Sequence, residues 1–129
     1  MNTTEIVSKA IKAERLKVLN DTAKYYNSSK RNLATNETTC KYYPQHKNTE
    51  GCAIGRLISK KLAKALDLRN FSVNVDSVFR LLPTKLKKLG QPFLSDLQSL
   101  HDSESYWDDK GLTDLGKEKV KHMKVVYCK

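Results

Sequence analysis

Apolar side chains recur at three- and four-residue steps over residues 3–27, which predicts a long helix. Ile6, Ala10, Ala13 and Leu16 fall on one side of it, and Val7, Ile11 and Val18 on a neighbouring one. So broad a band predicts contact with more than one neighbour. Thr3 or Thr4 is the expected cap, with Glu5 beside the positive end of the helix dipole. The polar run at 27–32 should end the helix, because short polar side chains compete for backbone hydrogen bonds. Helical spacing is then lost through residues 33–51. Thr38 to Tyr43 has strand propensity, Pro44 stops it, and Asn48 to Gly51 offers a turn. A small β-hairpin or irregular strand near 38–46 is expected there, supported by helices because two strands alone are marginal.

The helical period returns from Cys52 to Leu66, with Cys52, Ile54, Leu57, Ile58, Leu62 and Leu66 on one face. Asp76 can cap a short helix that Pro83 interrupts, and a further turn from Thr84 should close at Gly90. Pro92 suits the start of a helix carrying Phe93, Leu94, Leu97, Leu100 and His101 to about Asp102. A loop over 103–110 precedes a last helix, capped by Thr113, with Val120, Met123 and Val126 inward. The pattern gives a mainly α (α+β) single domain over 1–129, with four or five helices.

The chain has 129 residues, enough for one core without staples. Its formal charge of +10 is unevenly spread: residues 1–94 carry a net +11, 95–114 a net −5, and 115–129 a net +4. A basic body predicts an anionic partner, nucleic acid or nucleotide among them. No apolar run is long enough to cross a bilayer, and the first 15 residues lack the pattern of a signal peptide, so a cytoplasmic protein with no membrane partner is expected. Three cysteines in such a chain should be reduced thiols.

Several constellations could carry chemistry. Cys40, His46 and Cys52 have five residues between each and the next, too widely spaced for the paired ligands of a structural zinc site. Cys40 and Cys52 read better as small buried residues flanking one loop, able to bridge if oxidised. Gly51, Gly55, Arg56 and Lys60 resemble a phosphate cradle at a helix start, although the two glycines could equally admit a close neighbour. His101 beside Asp102 could act as an oriented general base, or His101 could bond the loop 103–110 with Trp107 packed beneath it. The carboxylates of 102–109 match no cation-binding loop, so no metal is expected, and no cofactor motif is present. Tyr25, Tyr26, Tyr42 and Tyr43 alternate with cations, which suits base stacking and phosphate contact. Lysine outnumbering arginine favours backbone contact over base reading.

Cys40-Lys41-Tyr42, then Cys52-Ala53-Ile54-Gly55, then Leu97-Gln98-Ser99-Leu100-His101-Asp102, Trp107 and Gly111-Leu112-Thr113 form a recurring set. Over roughly 38–120 the chain resembles a group of small bacterial and phage proteins. The resemblance implies that 40–56 and 98–107 meet in space and share a role. It also implies a phage-type accessory protein acting by binding, in host takeover or counter-defence. The ligand-binding residues expected are Lys41, Tyr43, Gly51, Gly55, Arg56, Lys60, Gln98, His101 and Trp107, facing an anionic ligand or a host protein. The alternatives are a nucleic-acid-binding protein, or a small hydrolase or nuclease with His101 and Asp102 in acid–base roles. Self-association is compatible with all three.

Overall fold

The computed structural model describes residues 2–28, 41–44, 51–69 and 76–129. Among them are six α-helices: α1 (Thr3–Tyr25), α2 (Lys60–Arg69), α3 (Asp76–Phe79), α4 (Thr84–Lys87), α5 (Gln91–Asp102) and α6 (Asp114–Tyr127). Single 3-10 turns stand at Gly55–Leu57 and Glu104–Tyr106, and a two-stranded antiparallel hairpin pairs β1 (Trp107–Asp108) with β2 (Gly111–Leu112). The mainly α single-domain class is therefore the one the periodicity predicts.

α1, α5 and α6 pack on one another, and the hairpin seats against α1 and α6. Leu19, Phe93, Leu94, Leu97, Leu100 and Met123 are fully buried where they meet. Arg15 staples this bundle: its Nε–H donates to the Leu89 carbonyl at 2.8 Å and one terminal nitrogen to the Tyr127 carbonyl at 3.1 Å. Its guanidinium also lies over the rings of Phe93 and Tyr127.

Several local expectations change. Asn2, not Thr3 or Thr4, caps α1, its Oδ1 accepting from the Glu5 N–H at 2.8 Å. The first two turns of α1 stand clear of the body, leaving Ile6 and Val7 half-exposed rather than packed between neighbours. The helix expected over Cys52 to Leu66 starts only at Lys60. Residues 51–59 instead form turns, because Gly51 and Gly55 close on the backbone of Tyr42. Ser59 then opens α2, its Oγ accepting from the Leu62 N–H.

The hairpin also lies elsewhere. Residues 41–44 bend instead of pairing, since the N–H groups of Tyr42 and Tyr43 are both taken by the carboxylate of Asp67. The rest of 38–46 lies outside the described residues. The strands form at 107–112, where Asp108 Oδ1 accepts from the N–H groups of Lys110 and Gly111 and closes the turn. Gly111 sits at φ +139°, open to glycine. Thr113 caps α6 as expected, its hydroxyl accepting from the Gly116 N–H at 3.1 Å. Val120 and Met123 point inward, whereas Val126 faces solvent.

Candidate functional site

The residues singled out by the sequence converge, but inside the protein. The Ile54 N–H donates to Gln98 Oε1 at 2.9 Å, and Gln98 Nε2 donates to Cys52 Sγ at 3.2 Å. The Cys52 N–H reaches the Lys41 carbonyl at 3.0 Å. The described residues of 40–56 therefore do meet α5 at Gln98. α5 supplies Gln98 and His101 from consecutive turns of one face, as an i, i+3 pair must.

Around this contact the phenol of Tyr26, the indole of Trp107 and the imidazole of His101 meet protein partners. The Tyr26 hydroxyl donates to the Gly51 carbonyl at 2.7 Å, and Trp107 Nε1 donates to the Leu100 carbonyl at 2.7 Å. His101 is fully buried; its Nδ1 lies 2.8 Å from Asp102 Oδ1, and its ring meets the Tyr26 ring edge-on at 4.8 Å. It does not reach out to the loop 103–110. Trp107 packs against Tyr26, not beneath the imidazole alone. Tyr42 is buried as well. Burial above all, and then the charges of Asp102 and Asp67, push its phenol well above the usual tyrosine range.

The two glycines are explained by this packing. A Cβ on Gly51 or Gly55 would collide with the Tyr42 carbonyl oxygen, a backbone atom that cannot swing aside. Their N–H groups open no long helix: Gly55 begins a single 3-10 turn that ends at Leu57. Arg56 lies 4.4 Å over the ring of Tyr25, with its Nε buried and unpartnered. Lys64 lies 4.7 Å over the ring of Tyr43. Of the four tyrosines expected to stack bases, two are buried and two are covered by cations. Lys41 is half-buried and Lys60 exposed at the start of α2.

Cys52 is disulfide-bonded, against the expected reduced thiol, while Cys128 is free, with burial pushing its thiol up. Cys40 and His46 lie outside the described residues. Among the described residues no group of His, Cys, Asp or Glu could hold a metal ion, and no helix is long and apolar enough to cross a membrane.

A second region went unnoticed in the sequence. Between α1 and α6 runs a groove of about 360 Å³ walled by Lys24 on one helix and Lys117, Lys121 and Lys124 on the other. Its remaining walls are Asn20, Ala23, Val120 and Leu112, so it holds no acidic side chain among the described residues. None of the four lysines stands within ion-pair distance of a carboxylate among the described residues, whereas Lys119 close by on α6 pairs with Asp96 at 3.7 Å. The i, i+4, i+7 spacing of Lys117, Lys121 and Lys124 was the available signal. The facing Lys24 needed the docking of α1 on α6.

A third feature lies across α1. A cavity of about 230 Å³ between α1, Leu57 and α4 has an apolar floor of Val18, Leu86 and Leu89, and Glu14, Lys17, Asp21 and Lys85 at its rim. No family model, curated protein or solved structure matches this chain.

Proposed function

We propose that this protein acts by binding and that its ligand is a polyanion held in the α1–α6 groove. The supporting observation is the convergence of four lysines on a groove that no carboxylate lines, none of them within ion-pair distance of a carboxylate among the described residues. Like charges gathered on one surface repel each other, and an anionic occupant relieves that repulsion. The groups that could have done acid–base chemistry offer less. A general base must reach the proton it abstracts, and the imidazole of His101 is enclosed by its own protein. In this reading Gln98, His101, Trp107, Gly51 and Gly55 hold the loops in place, and Lys41, Tyr43, Arg56 and Lys60 border a second basic surface.

Calorimetric titration with inorganic polyphosphate at low salt tests it. Binding should be lost in Lys117/Lys121/Lys124→Gln and kept in Lys60/Lys61/Lys64→Gln. The opposite pattern would move the site to α2, and no heat with the wild-type protein would remove the reading.

Capture of a host protein is the second reading. The cavity beneath Glu14 and Lys85 favours it, being smaller than the roughly 300–1,000 Å³ of pockets for drug-sized ligands yet sized for an apolar side chain flanked by charges of both signs. Either mode suits a phage-borne accessory protein working in the host cytoplasm, in takeover or counter-defence. Nuclear magnetic resonance mapping with a blocked Lys-Phe-Lys tripeptide separates the two sites, since shifts at Leu57 and Leu86 would favour the protein partner.

A further inference from the structure

The chemistry of the groove narrows the polyanion, on the footing of the reading just given. Three observations bear on it. The first is linear spacing. Lys117, Lys121 and Lys124 are four and three residues apart, so they climb α6 by about 6 Å and then about 4.5 Å, facing Lys24 across the trough. That is a track for successive charges along a chain and not a socket for one compact anion.

The second is the kind of cation. The four charges are all lysine, and no arginine among the described residues lines the groove. The two-pronged arginine fork fixes the geometry of a single carboxylate or phosphate, whereas lysine acts as a point charge, so this groove selects the spacing of successive charges, as a phosphodiester chain presents them. The third is the floor. Ala23, Val120 and Leu112 are small or aliphatic, with no aromatic ring for a base to stack upon. Asn20 is the one uncharged polar side chain in the lining.

We infer that the groove takes consecutive phosphodiesters of a polynucleotide and contacts the backbone without reading bases. The footprint is short. The hairpin that lends Leu112 to one wall carries Asp108 and Asp109 in its turn, and Asp108 is joined through its carbonyl to the Ser28 N–H just beyond α1. Those carboxylates repel phosphate at that end, which leaves room for the three or four contacts that the lysines supply.

The experiment is fluorescence anisotropy with labelled oligo(dT) and oligo(dA) 15-mers and a 15-base-pair duplex, repeated from 50 to 200 mM salt, with poly-glutamate as competitor. Oligo(dT) and oligo(dA) should bind within threefold of each other. With four contacts to a single strand, affinity should fall roughly 50-fold over that salt range. Lys117/Lys121/Lys124→Gln should leave only weak residual binding at 50 mM salt, with the logarithmic salt slope flattened by about 2 units. Lys117/Lys121/Lys124→Arg should restore it, and circular dichroism should show both variants folded. Tighter binding of either the strands or the duplex supports the inference and names the source of the phosphodiesters.

A tenfold preference between dT and dA would overturn it, because bases would then be read. An unchanged slope in the glutamine variant would overturn it too. If poly-glutamate displaces the oligonucleotides at equal charge concentration, the phosphodiester assignment fails while the polyanion reading stands. If neither the oligonucleotides nor polyphosphate bind, both fail.

Discussion

The junction at Gln98 and the groove at Lys121 lie on two sides of the same bundle and treat polar groups in opposite ways. In the junction, amide, phenol, indole and imidazole all end on protein partners within hydrogen-bond distance. In the groove, four ammonium groups meet no carboxylate among the described residues. Burial explains the difference. A polar group removed from water must be paired or it destabilises the fold, whereas a solvated lysine can wait for a ligand. Residue types associated with catalysis therefore serve the interior of this molecule, while the lysines of the groove stay in solvent.

That contrast can be broken most forcefully at Gly55. Gly55→Ala drives a methyl group into the Tyr42 carbonyl. It should cost about 4 kcal/mol or more, read as loss of the cooperative urea transition; a stable, unshifted transition would show that the 41–56 contact is loose. Gln98→Leu is the next largest. It strands the buried Ile54 N–H and should cost about 1–3 kcal/mol in the same measurement, with polyphosphate affinity unchanged. The groove should behave in reverse: Lys117/Lys121/Lys124→Gln should shift stability by only about 0.5 kcal/mol while abolishing polyanion binding. A large loss of stability there would mean that the lysines are structural after all.

The smallest effect is alkaline. Burial, and then the hydrogen bond to Asp96 at 2.5 Å, push the Tyr127 phenol up to about 12 from its ordinary 10. Between those values the folded chain holds a proton that the unfolded chain has released. Stability from this group is therefore complete below pH 10 and is lost as pH rises toward 12. Tyr127→Phe should show a shallower decline over that interval, and an identical decline would assign it elsewhere, Tyr42 being the other raised phenol.

Much of the architecture was legible because it is local. Thr113 caps α6, Gly90 ends the α4 turn at φ +90°, and Pro92 lies in the first turn of α5, each by short-range chemistry. The expected meeting of 40–56 with 98–107 is seen where Cys52 and Ile54 reach Gln98. What misled was non-local. Nothing near Cys52 reveals that Tyr42 will press on Gly51 and Gly55 and undo the first turns of a helix whose spacing is otherwise sound. Likewise Asp67 sits in α2, yet it decides that Tyr42 and Tyr43 do not form a strand. The lysine groove required the register of α1 on α6, which no window of sequence contains.

The Arg15 staple bears on how the chain reaches this state in the cell. Its partners lie 74 and 112 residues further on. At ordinary rates of synthesis residue 127 leaves the ribosome roughly 6–22 s after residue 15. For most of that interval α1 has neither α5 nor α6 to cover Val18 and Leu19, and a lone helix of this length is only marginally stable in water. Assembly of the bundle thus waits until residue 127 has been made. Until then the nascent chain carries an uncovered apolar face, and aggregation competes with folding.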